Sequence, residues 1–317
     1  MLGQGSLFAG PLAFRDRLAE KLAALAREGV YLGTSSWKYE GWLGQIYTPE
    51  RYFTRGRLSR KKFEAECLAE YAEVFPTVCG DFAFYQFPSD VHWQRLFASA
   101  PGRLSFAFKV PEEITCRRFP THPRYGARGG MDNPNFLSAG LLQDAFLRPL
   151  LPYRTRTSAL IFEFGTFSGY STFLPDLDRF LGALPPGAGF RYGVEIRNPE
   201  LLGEEYFACL RSHGVAHVFN AWSRMPELER QIELPGAFTA DFSVVRALLR
   251  RGRSYEQAVA QFSPYAHTQD ENPAARAAIR YLIQNERKRK RDVFVYVNNR
   301  LEGNAPLTID SVTGVTE

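Results

Sequence analysis

Carboxylates stand inside two apolar runs of this chain. Glu163 lies in Ile-Phe-Glu-Phe at 161–164, and Glu195 lies in Gly-Val-Glu-Ile-Arg at 193–197. Apolar flanks are typical of a buried strand, and a buried carboxylate needs a partner. One hypothesis is catalytic: one carboxyl acts as a general acid with a raised pKa, and the other acts as a base or nucleophile.

Strand geometry determines how closely these carboxylates approach. Neighbouring strands are about 4.8 Å apart, so two inward carboxylates at the same height have the separation needed by a retaining glycoside hydrolase. The alternative is an internal ion pair without catalytic role, Glu195 with Arg197 or Lys109 with Glu163. The sequence leaves both interpretations open.

Other polar residues share this position at or just after the end of a predicted strand. Asp81 and Lys109 join Glu195 and Glu163 as candidate catalytic residues. The candidate substrate-binding residues are Thr34, Ser35, Trp37, Tyr39, Tyr85, Arg197, Asn220, Trp222, Arg246, Asn298 and Asn299. Because no histidine stands at a strand end with ligand spacing, we assign no metal ligands, although Asp81, Glu163 and Glu195 together remain an alternative metal-binding set. The sequence identifies no cofactor.

Two segments that begin at predicted strand ends carry an excess of positive charge. Residues 38–62 contain seven cations and two acids, and residues 244–254 contain four arginines and no acid. With Lys109, Arg197 and Arg246, they favour a small anionic substrate, although a solvated helix start explains the cations at 60–62 equally well.

The first of these segments is also aromatic. Trp37, Tyr39 and Trp42 follow the first predicted strand. They either stack a base or sugar or pack the long loop that carries them.

Eight short β-branched or aromatic runs, each followed by a loop and a helical pattern, position these candidates. They lie at 31–36, 78–84, 104–110, 159–164, 191–196, 215–220, 238–244 and 293–298. Their spacing averages roughly 37 residues, the length of a strand plus a crossover helix. Eight such units predict an α/β fold, a single TIM-type (β/α)8 barrel, with its functional residues at the C-terminal ends of the strands.

An amphipathic helix at 15–28 precedes the first strand. Because too few residues follow the eighth strand for a long loop and a full helix, we expect this helix to close the bottom of the barrel or to supplement the last helical position. The predicted organisation is an N-terminal helical extension, 1–30, and one barrel domain, 31–317.

Composition bounds the class of protein. The chain has 317 residues, 45% hydrophobic and 23% charged, which excludes disordered and fibrous classes. It has neither an apolar run of about 18 residues nor a signal-peptide pattern, so we expect a cytoplasmic protein without a membrane partner. Four cysteines without a C-x-x-C pair argue against a zinc knuckle or redox dithiol.

The formal net charge of +5 depends on one run of five cations, 287–291. This run ends the predicted helix before the eighth strand, so barrel topology places it on the bottom face, away from the candidate site. Cations also suit a helix C-terminus. The net charge is therefore weak evidence for a nucleic-acid partner.

The chain resembles the domain of unknown function 72, or YecE-like, family. The resemblance covers 31–307 and implies a single TIM-type barrel with its site at the C-terminal face. It rests on Gly-Thr-Ser-Ser-Trp-Lys-Tyr-Glu-Gly-Trp at 33–42, Ile-Tyr-Thr-Pro at 46–49, Phe-Pro-Thr-Val at 75–78, Phe-Tyr-Gln-Phe-Pro at 84–88, Phe-Ala-Phe-Lys at 106–109, Ile-Thr at 114–115, Val-Glu-Ile-Arg at 194–197, Tyr-Val-Asn-Asn at 296–299 and Gly-Asn-Ala-Pro at 303–306.

Some acidic positions differ from the family pattern. Where the family has Thr-Val-Glu-hydrophobic-Asn, this chain has Thr-Val-Cys-Gly-Asp at 77–81. The fourth strand usually ends in glutamine before a proline pair, but here it reads Glu-Phe-Gly-Thr-Phe at 163–167, and Asn220 replaces a frequent aspartate. The chain therefore resembles a divergent member, and the family supplies no established reaction.

Three functions remain. The leading hypothesis is an enzyme of hydrolase type that uses Glu195, with Asp81 or Glu163, in acid–base or hydrolytic chemistry on a small polar, anionic substrate. The alternatives are a non-catalytic ligand-binding or interaction barrel, and a nucleic-acid phosphodiesterase or binder, which is not favoured. The sequence does not determine the oligomeric state.

Overall fold

The computed structural model describes residues 12–167, 172–185 and 189–314. Within these ranges, eight parallel strands form a closed barrel in chain order, and the first strand pairs with both the second and the last. The strands are β1 (Val30–Thr34), β2 (Thr77–Gly80), β3 (Ser105–Lys109), β4 (Thr157–Phe164), β5 (Tyr192–Ile196), β6 (Ala216–Ala221), β7 (Phe242–Ala247) and β8 (Asp292–Val297). The predicted TIM-type barrel is confirmed.

Helices surround this barrel. The longer ones are α1 (Ala13–Arg27), α2 (Arg60–Val74), α3 (Asp90–Ser99), α4 (Phe173–Gly182), α5 (Glu204–Ser212), α6 (Leu228–Glu233), α7 (Tyr255–Phe262), α8 (Pro273–Arg289) and α9 (Ala305–Thr313). Short helical turns are Glu40–Trp42, Pro49–Tyr52, Phe82–Phe84, Glu112–Thr115, Pro123–Arg128, Ala139–Leu142, Gln143–Leu147, Arg148–Leu150, Leu151–Arg156 and Pro199–Leu201. A small hairpin pairs Phe53–Thr54 with Arg57–Leu58. No described helix is long and apolar enough to cross a membrane.

Strand side chains alternate between the helix layer and the barrel interior, as the two-residue period requires. The interior holds its own apolar cluster, which includes Ile161, Val218, Val244 and Tyr296. Two residues further along β3, β4, β5 and β7, the inward position is charged. The interior of the barrel is therefore ionic at the C-terminal ends of the strands and apolar in the layer beneath these charges, towards the N-terminal ends.

Two predicted strands differ from the observed limits by three or four residues at an end, and the other six by at most two. The run predicted as a strand at 78–84 leaves the sheet after Gly80, because the Phe82 ring folds back over that glycine and packs on Trp93. The strand predicted at 238–244 begins only at Phe242 and continues to Ala247. The preceding Phe238 instead packs on Phe219 outside the barrel, which explains its apolar character.

The N-terminal helix α1 is part of the packed structure. Leu22 is fully buried in the main core, and Lys21 Nζ lies 2.8 Å from Asp310 Oδ1 of α9. Ala23 lines a cavity at the N-terminal end of the barrel with Tyr31. The helix thus lies beside the last helical position and also covers part of the barrel bottom.

The run of five cations continues from α8 towards β8. Lys290 adopts a left-handed conformation, with φ of 55°, where it ends the helix. Arg287 pairs with Glu28, just before the start of β1. The run therefore lies at the N-terminal end of the barrel, opposite the candidate site.

Candidate functional site

Six charged side chains meet at the C-terminal end of the barrel interior, and we call them the ionic cluster. Its members are Asp81, Lys109, Glu163, Glu195, Arg197 and Arg246. Glu163 and Glu195 are opposite each other in the β4–β5 register, so these two carboxylates start from the same height. Three acids meet three cations, and the cluster has no formal net charge.

Arg246 joins the carboxylates. Its Nη1 contacts the Oε2 atoms of both Glu163 and Glu195. Arg197 Nη2 lies 2.5 Å from Glu195 Oε1 and 3.2 Å from Glu163 Oε2, and Lys109 Nζ lies 3.2 Å from Glu163 Oε1. Both ion pairs considered from the sequence are therefore present, within a larger network.

Electrostatics keep the centre of this network charged. Burial alone would raise the pKa of Glu163, but Lys109, Arg197 and Arg246 hold that pKa well below its usual range. Burial also opposes the charge of Arg246, but Glu195 and Glu163 raise the pKa of its guanidinium well above its usual value. A carboxyl whose pKa is lowered does not hold a proton to donate near neutral pH. Glu163 is thus better suited to holding cations than to acting as a general acid.

Asp81 differs from the other two acids. Its side chain is 41% exposed, whereas that of Glu195 is 0% exposed. Its Oδ1 lies 3.8 Å from both Lys109 Nζ and Arg246 Nη2, and no described residue donates a hydrogen bond to that atom. Asp81 is therefore the most exposed acid of the ionic cluster.

Asp81 also borders a cavity of about 780 Å³, which we call the mouth cavity. Its walls come from the ends of β1, β2 and β8, from one face of α3 and from Ala65 of α2. The lining residues are Ser35, Ser36, Trp37, Lys38, Tyr39, Ala65, Cys79, Asp81, Phe82, His92, Arg95, Leu96, Ser99, Asn298 and Arg300. The cavity and the ionic cluster share Asp81.

Two buried polar atoms in this wall have no hydrogen-bond partner within the described part of the chain. They are Ser35 Oγ and Trp37 Nε1, in side chains of residues that are 2% and 8% exposed. An unpaired buried donor costs about 1–3 kcal/mol. Both atoms are closed off from the open space of the cavity, so a ligand oxygen would reach them only after a rearrangement of this wall.

Cations of the mouth cavity come from three different segments. Lys38 follows β1, Arg95 lies on α3 and Arg300 follows β8. The Arg300 guanidinium stacks 4.4 Å from the centre of the Tyr255 ring, and its backbone N–H donates to Asn298 Oδ1 at 2.9 Å. These contacts fix Arg300 at the edge of the cavity.

Cys79 lines the floor of the mouth cavity. Burial raises the pKa of its thiol to about 12, with Arg246 acting in the opposite direction. The thiolate is the nucleophilic form of cysteine, so this thiol is unsuited to nucleophilic chemistry near neutral pH.

Each predicted site residue belongs to the ionic cluster or its surroundings, to the mouth cavity, or to neither. The ionic cluster contains Glu195, Asp81, Glu163, Lys109, Arg197 and Arg246; Trp222 adjoins it with its ring centre 4.0 Å from the Arg197 guanidinium. Asn220 lies close by, donating to the Ile196 carbonyl at 3.3 Å. The mouth cavity is lined by Ser35, Trp37, Tyr39, Asp81 and Asn298.

Three predicted residues lie outside both groups. Thr34 faces the helix layer because it is one residue out of phase with the inward positions of β1. Its hydroxyl lies 2.9 Å from the Tyr71 hydroxyl. Tyr85 is 57% exposed and stacks on Arg124. Asn299 accepts a hydrogen bond from Ala305 N–H at 2.7 Å, which joins it to the start of α9.

The aromatic residues after β1 serve mainly to pack their loop. Trp42 is fully buried, and its ring stacks 6.2 Å from that of Tyr47. Tyr39 packs on Trp42 at 4.8 Å while also lining the mouth cavity. Trp42 is therefore not available to stack an incoming base or sugar.

Several residues of the mouth cavity were not predicted from the sequence. His92, Arg95, Leu96 and Ser99 lie on one face of α3, at spacings i, i+3, i+4 and i+7. That spacing is visible in the sequence. These residues were not predicted because the candidates were residues at the ends of predicted strands, and helices were not considered. Within the described ranges, no group of three or more histidine, cysteine or acidic residues is arranged to hold a metal ion.

Similarity to known proteins agrees with this architecture. A family model described as "Protein of unknown function DUF72" matches residues 31–315. A DUF72 family protein from Enterococcus faecalis is structurally similar, with a TM-score of 0.60 at 17% identity, covering 91% of this chain and 96% of that chain. A DUF72 family protein from Thermotoga maritima gives a TM-score of 0.56 at 20% identity, covering 89% and 96%.

Identities in this range establish a shared fold and nothing about the reaction. No match was found among curated proteins. The family model, however, spans nearly the whole barrel, from the second residue of β1 to beyond α9. This chain belongs to the DUF72 family.

Proposed function

We propose that this chain is an enzyme that performs acid–base or hydrolytic chemistry on a small polar, anionic substrate at the C-terminal face of the barrel. The observation that carries the proposal is the position of Asp81, at the boundary between the ionic cluster and the mouth cavity. A partly exposed carboxylate there can accept a proton from a substrate or orient an attacking water.

The other charges support that carboxylate. Lys109 and Arg246 lie beside Asp81, where they can stabilise negative charge that develops on a substrate. Glu163 and Glu195 hold these cations in place and act as positioning residues. Because Glu195 is fully buried among arginines, it influences a substrate through them rather than by contact.

The test is a panel of anionic chromogenic substrates, p-nitrophenyl phosphate, p-nitrophenyl hemisuccinate and p-nitrophenyl glucuronide, assayed by release of the coloured phenol. We expect turnover of one class, and Asp81→Asn should lower kcat by about a hundredfold or more. The matched control is Glu229→Gln, an exposed acid of α6, which should leave kcat unchanged. A panel without turnover, or an Asp81→Asn variant as active as the parent chain, would contradict the proposal.

A second candidate, a non-catalytic ligand-binding barrel, is favoured by one observation. Each acid of the ionic cluster has a cation within 4 Å, as expected of a structural charge network. Under this alternative, ligands bind in the mouth cavity without being converted. Asp81→Asn would then change affinity alone, and no member of the panel would be turned over.

A further inference from the structure

The mouth cavity has an unbalanced charge. Lys38, Arg95 and Arg300 line it, and Asp81 is the acid among its lining residues. Asp81 is already paired with Lys109 and Arg246 in the neutral ionic cluster, which leaves the three cations of the cavity wall as the charge excess. A phosphate monoester, with a charge of about −1.5 to −2 at pH 7, matches this excess better than a monocarboxylate does.

The same cavity has an apolar wall. Phe82 and Leu96 line it together with Trp37 and Tyr39 of the loop that follows β1. Phe82 is fixed by Trp93, with ring centres 5.9 Å apart, and by Phe108 at 5.7 Å. A wall of packed aromatic and aliphatic side chains suits the planar body of a ligand, and the cavity volume exceeds what a bare phosphate needs.

Ser35 and Trp37 also line the cavity, and their Oγ and Nε1 atoms are buried without a partner in the described structure. Because these two atoms are buried, they do not face the open space that a ligand would fill. Trp37 is therefore a reporter in the cavity wall rather than a donor to the phosphate. The cavity itself combines cations with an apolar wall.

We propose that the mouth cavity binds a phosphate monoester of a small molecule with a planar body, its phosphate facing Lys38, Arg95 and Arg300. The role of this ligand as substrate rests on the proposed function, but its binding does not. The body lies along Phe82 and Leu96, and the phosphate brings the substrate within reach of Asp81.

Trp37 provides a direct readout. The chain has four tryptophans, so a spectrum of the ¹⁵N-labelled protein has few indole signals, and Trp37→Phe identifies that of Trp37. Phenyl phosphate, inorganic phosphate and benzoate are titrated separately at constant ionic strength. We expect phenyl phosphate to shift the Trp37 signal saturably and to bind more tightly than the other two probes.

Charge variants locate the phosphate. Arg95→Gln and Arg300→Gln should each weaken phenyl phosphate binding about tenfold or more, the scale of one lost charge-assisted hydrogen bond. Lys288→Gln removes the same charge at the opposite end of the barrel and should leave the Kd nearly unchanged, because such a distance is screened. Arg95 is exposed, so its variant is expected to fold.

Several outcomes would overturn the proposal. They are no saturable response of Trp37 at millimolar phenyl phosphate, equal affinity for benzoate, or unchanged affinity in both arginine variants. Saturable binding without turnover of any panel compound would contradict the proposed enzyme and leave this site standing. Turnover of a panel compound by a chain whose Trp37 signal does not respond to phenyl phosphate would contradict this site and leave the proposed enzyme standing.

Discussion

Arg246 is the residue on which the ionic cluster depends most. It contacts Glu163 and Glu195 and lies 3.8 Å from Asp81, with its side chain 3% exposed. Removing one partner of a buried ion pair leaves uncompensated charge, at a cost of about 3–5 kcal/mol. We therefore expect Arg246→Met to lower the free energy of unfolding by about that amount, measured by urea titration at neutral pH.

An exposed arginine provides the comparison. Arg230 pairs with Glu233 on the surface of α6, where both side chains are more than half exposed. Such pairs contribute about 1 kcal/mol or less, so Arg230→Met should change stability little. Equal effects of the two substitutions would show that the ionic cluster contributes nothing beyond a surface pair.

Sequence reasoning reached part of this cluster. Alternation along the strands was enough to place Glu163 and Glu195 inward, and Arg197 and Lys109 were recognised as partners. Arg246 was predicted as a substrate-binding residue, but its pairing with Glu163 and Glu195 was not predicted, because the seventh strand was expected to end before it. Which of several inward charges pair with each other depends on register across the barrel, and no local pattern encodes that.

At the scale of elements, the packing of the N-terminal helix α1 leads to a prediction about the stability of the whole barrel. Leu22 is fully buried between this helix and the rest of the core. A buried Leu→Ala substitution costs about 2–5 kcal/mol, through lost transfer energy and the cavity left behind. If α1 is an integral part of the fold, Leu22→Ala should lower the unfolding midpoint of the whole barrel in one cooperative transition.

The control lies on the same helix. Glu20 is exposed, and alanine has the higher helix propensity, so Glu20→Ala should change the midpoint little. A Leu22→Ala variant that unfolds with the parent midpoint, or in two separate transitions, would mean that α1 is a detachable extension.

Element limits were predicted less well than element existence. All eight predicted strands are present. Crossover helices separate successive strands by a similar number of residues, so the number of strands can be predicted even where the limits of one strand are wrong. The apolar run at 82–84 was assigned to a strand, although the Phe82 ring packs on Trp93 of α3 and Phe108 of β3. Apolar character reports burial, and burial against a helix looks the same in the sequence as burial in a sheet.

For the whole molecule, net charge is a poor guide to the site. The five cations at 287–291 lie at the N-terminal end of the barrel, whereas the mouth cavity is positive through Lys38, Arg95 and Arg300. These three come from segments far apart in the chain. Only the closed barrel brings them together, so their combined charge could not be read from any sequence window.

Stability of the whole chain should also depend on pH through a histidine away from the site. His217 lies on β6, its Nδ1 3.2 Å from the Tyr206 hydroxyl, with its ring against Phe207 and Phe219. Burial lowers the pKa of this imidazole from 6.5 to about 3. Between those values the unfolded chain binds a proton that the folded chain does not.

Folded-state stability must therefore fall as pH falls below about 6.5, by about 1.4 kcal/mol per pH unit. At pH 5 the loss attributable to His217 is about 2 kcal/mol. Glu163 contributes mainly below about pH 4.5, its usual pKa, because there the unfolded chain takes up a proton that the folded chain, with its lowered pKa, does not. His217→Phe removes the titrating group while Tyr206 keeps its hydrogen bond to the Val194 carbonyl.

Urea titrations at pH 7.5 and pH 5 should show a smaller loss of stability for His217→Phe than for the parent chain. The control variant His122→Gln, at an exposed histidine, should lose as much stability as the parent chain. The same loss in His217→Phe as in the parent would mean that His217 takes up its proton in the folded chain, against the effect of its burial.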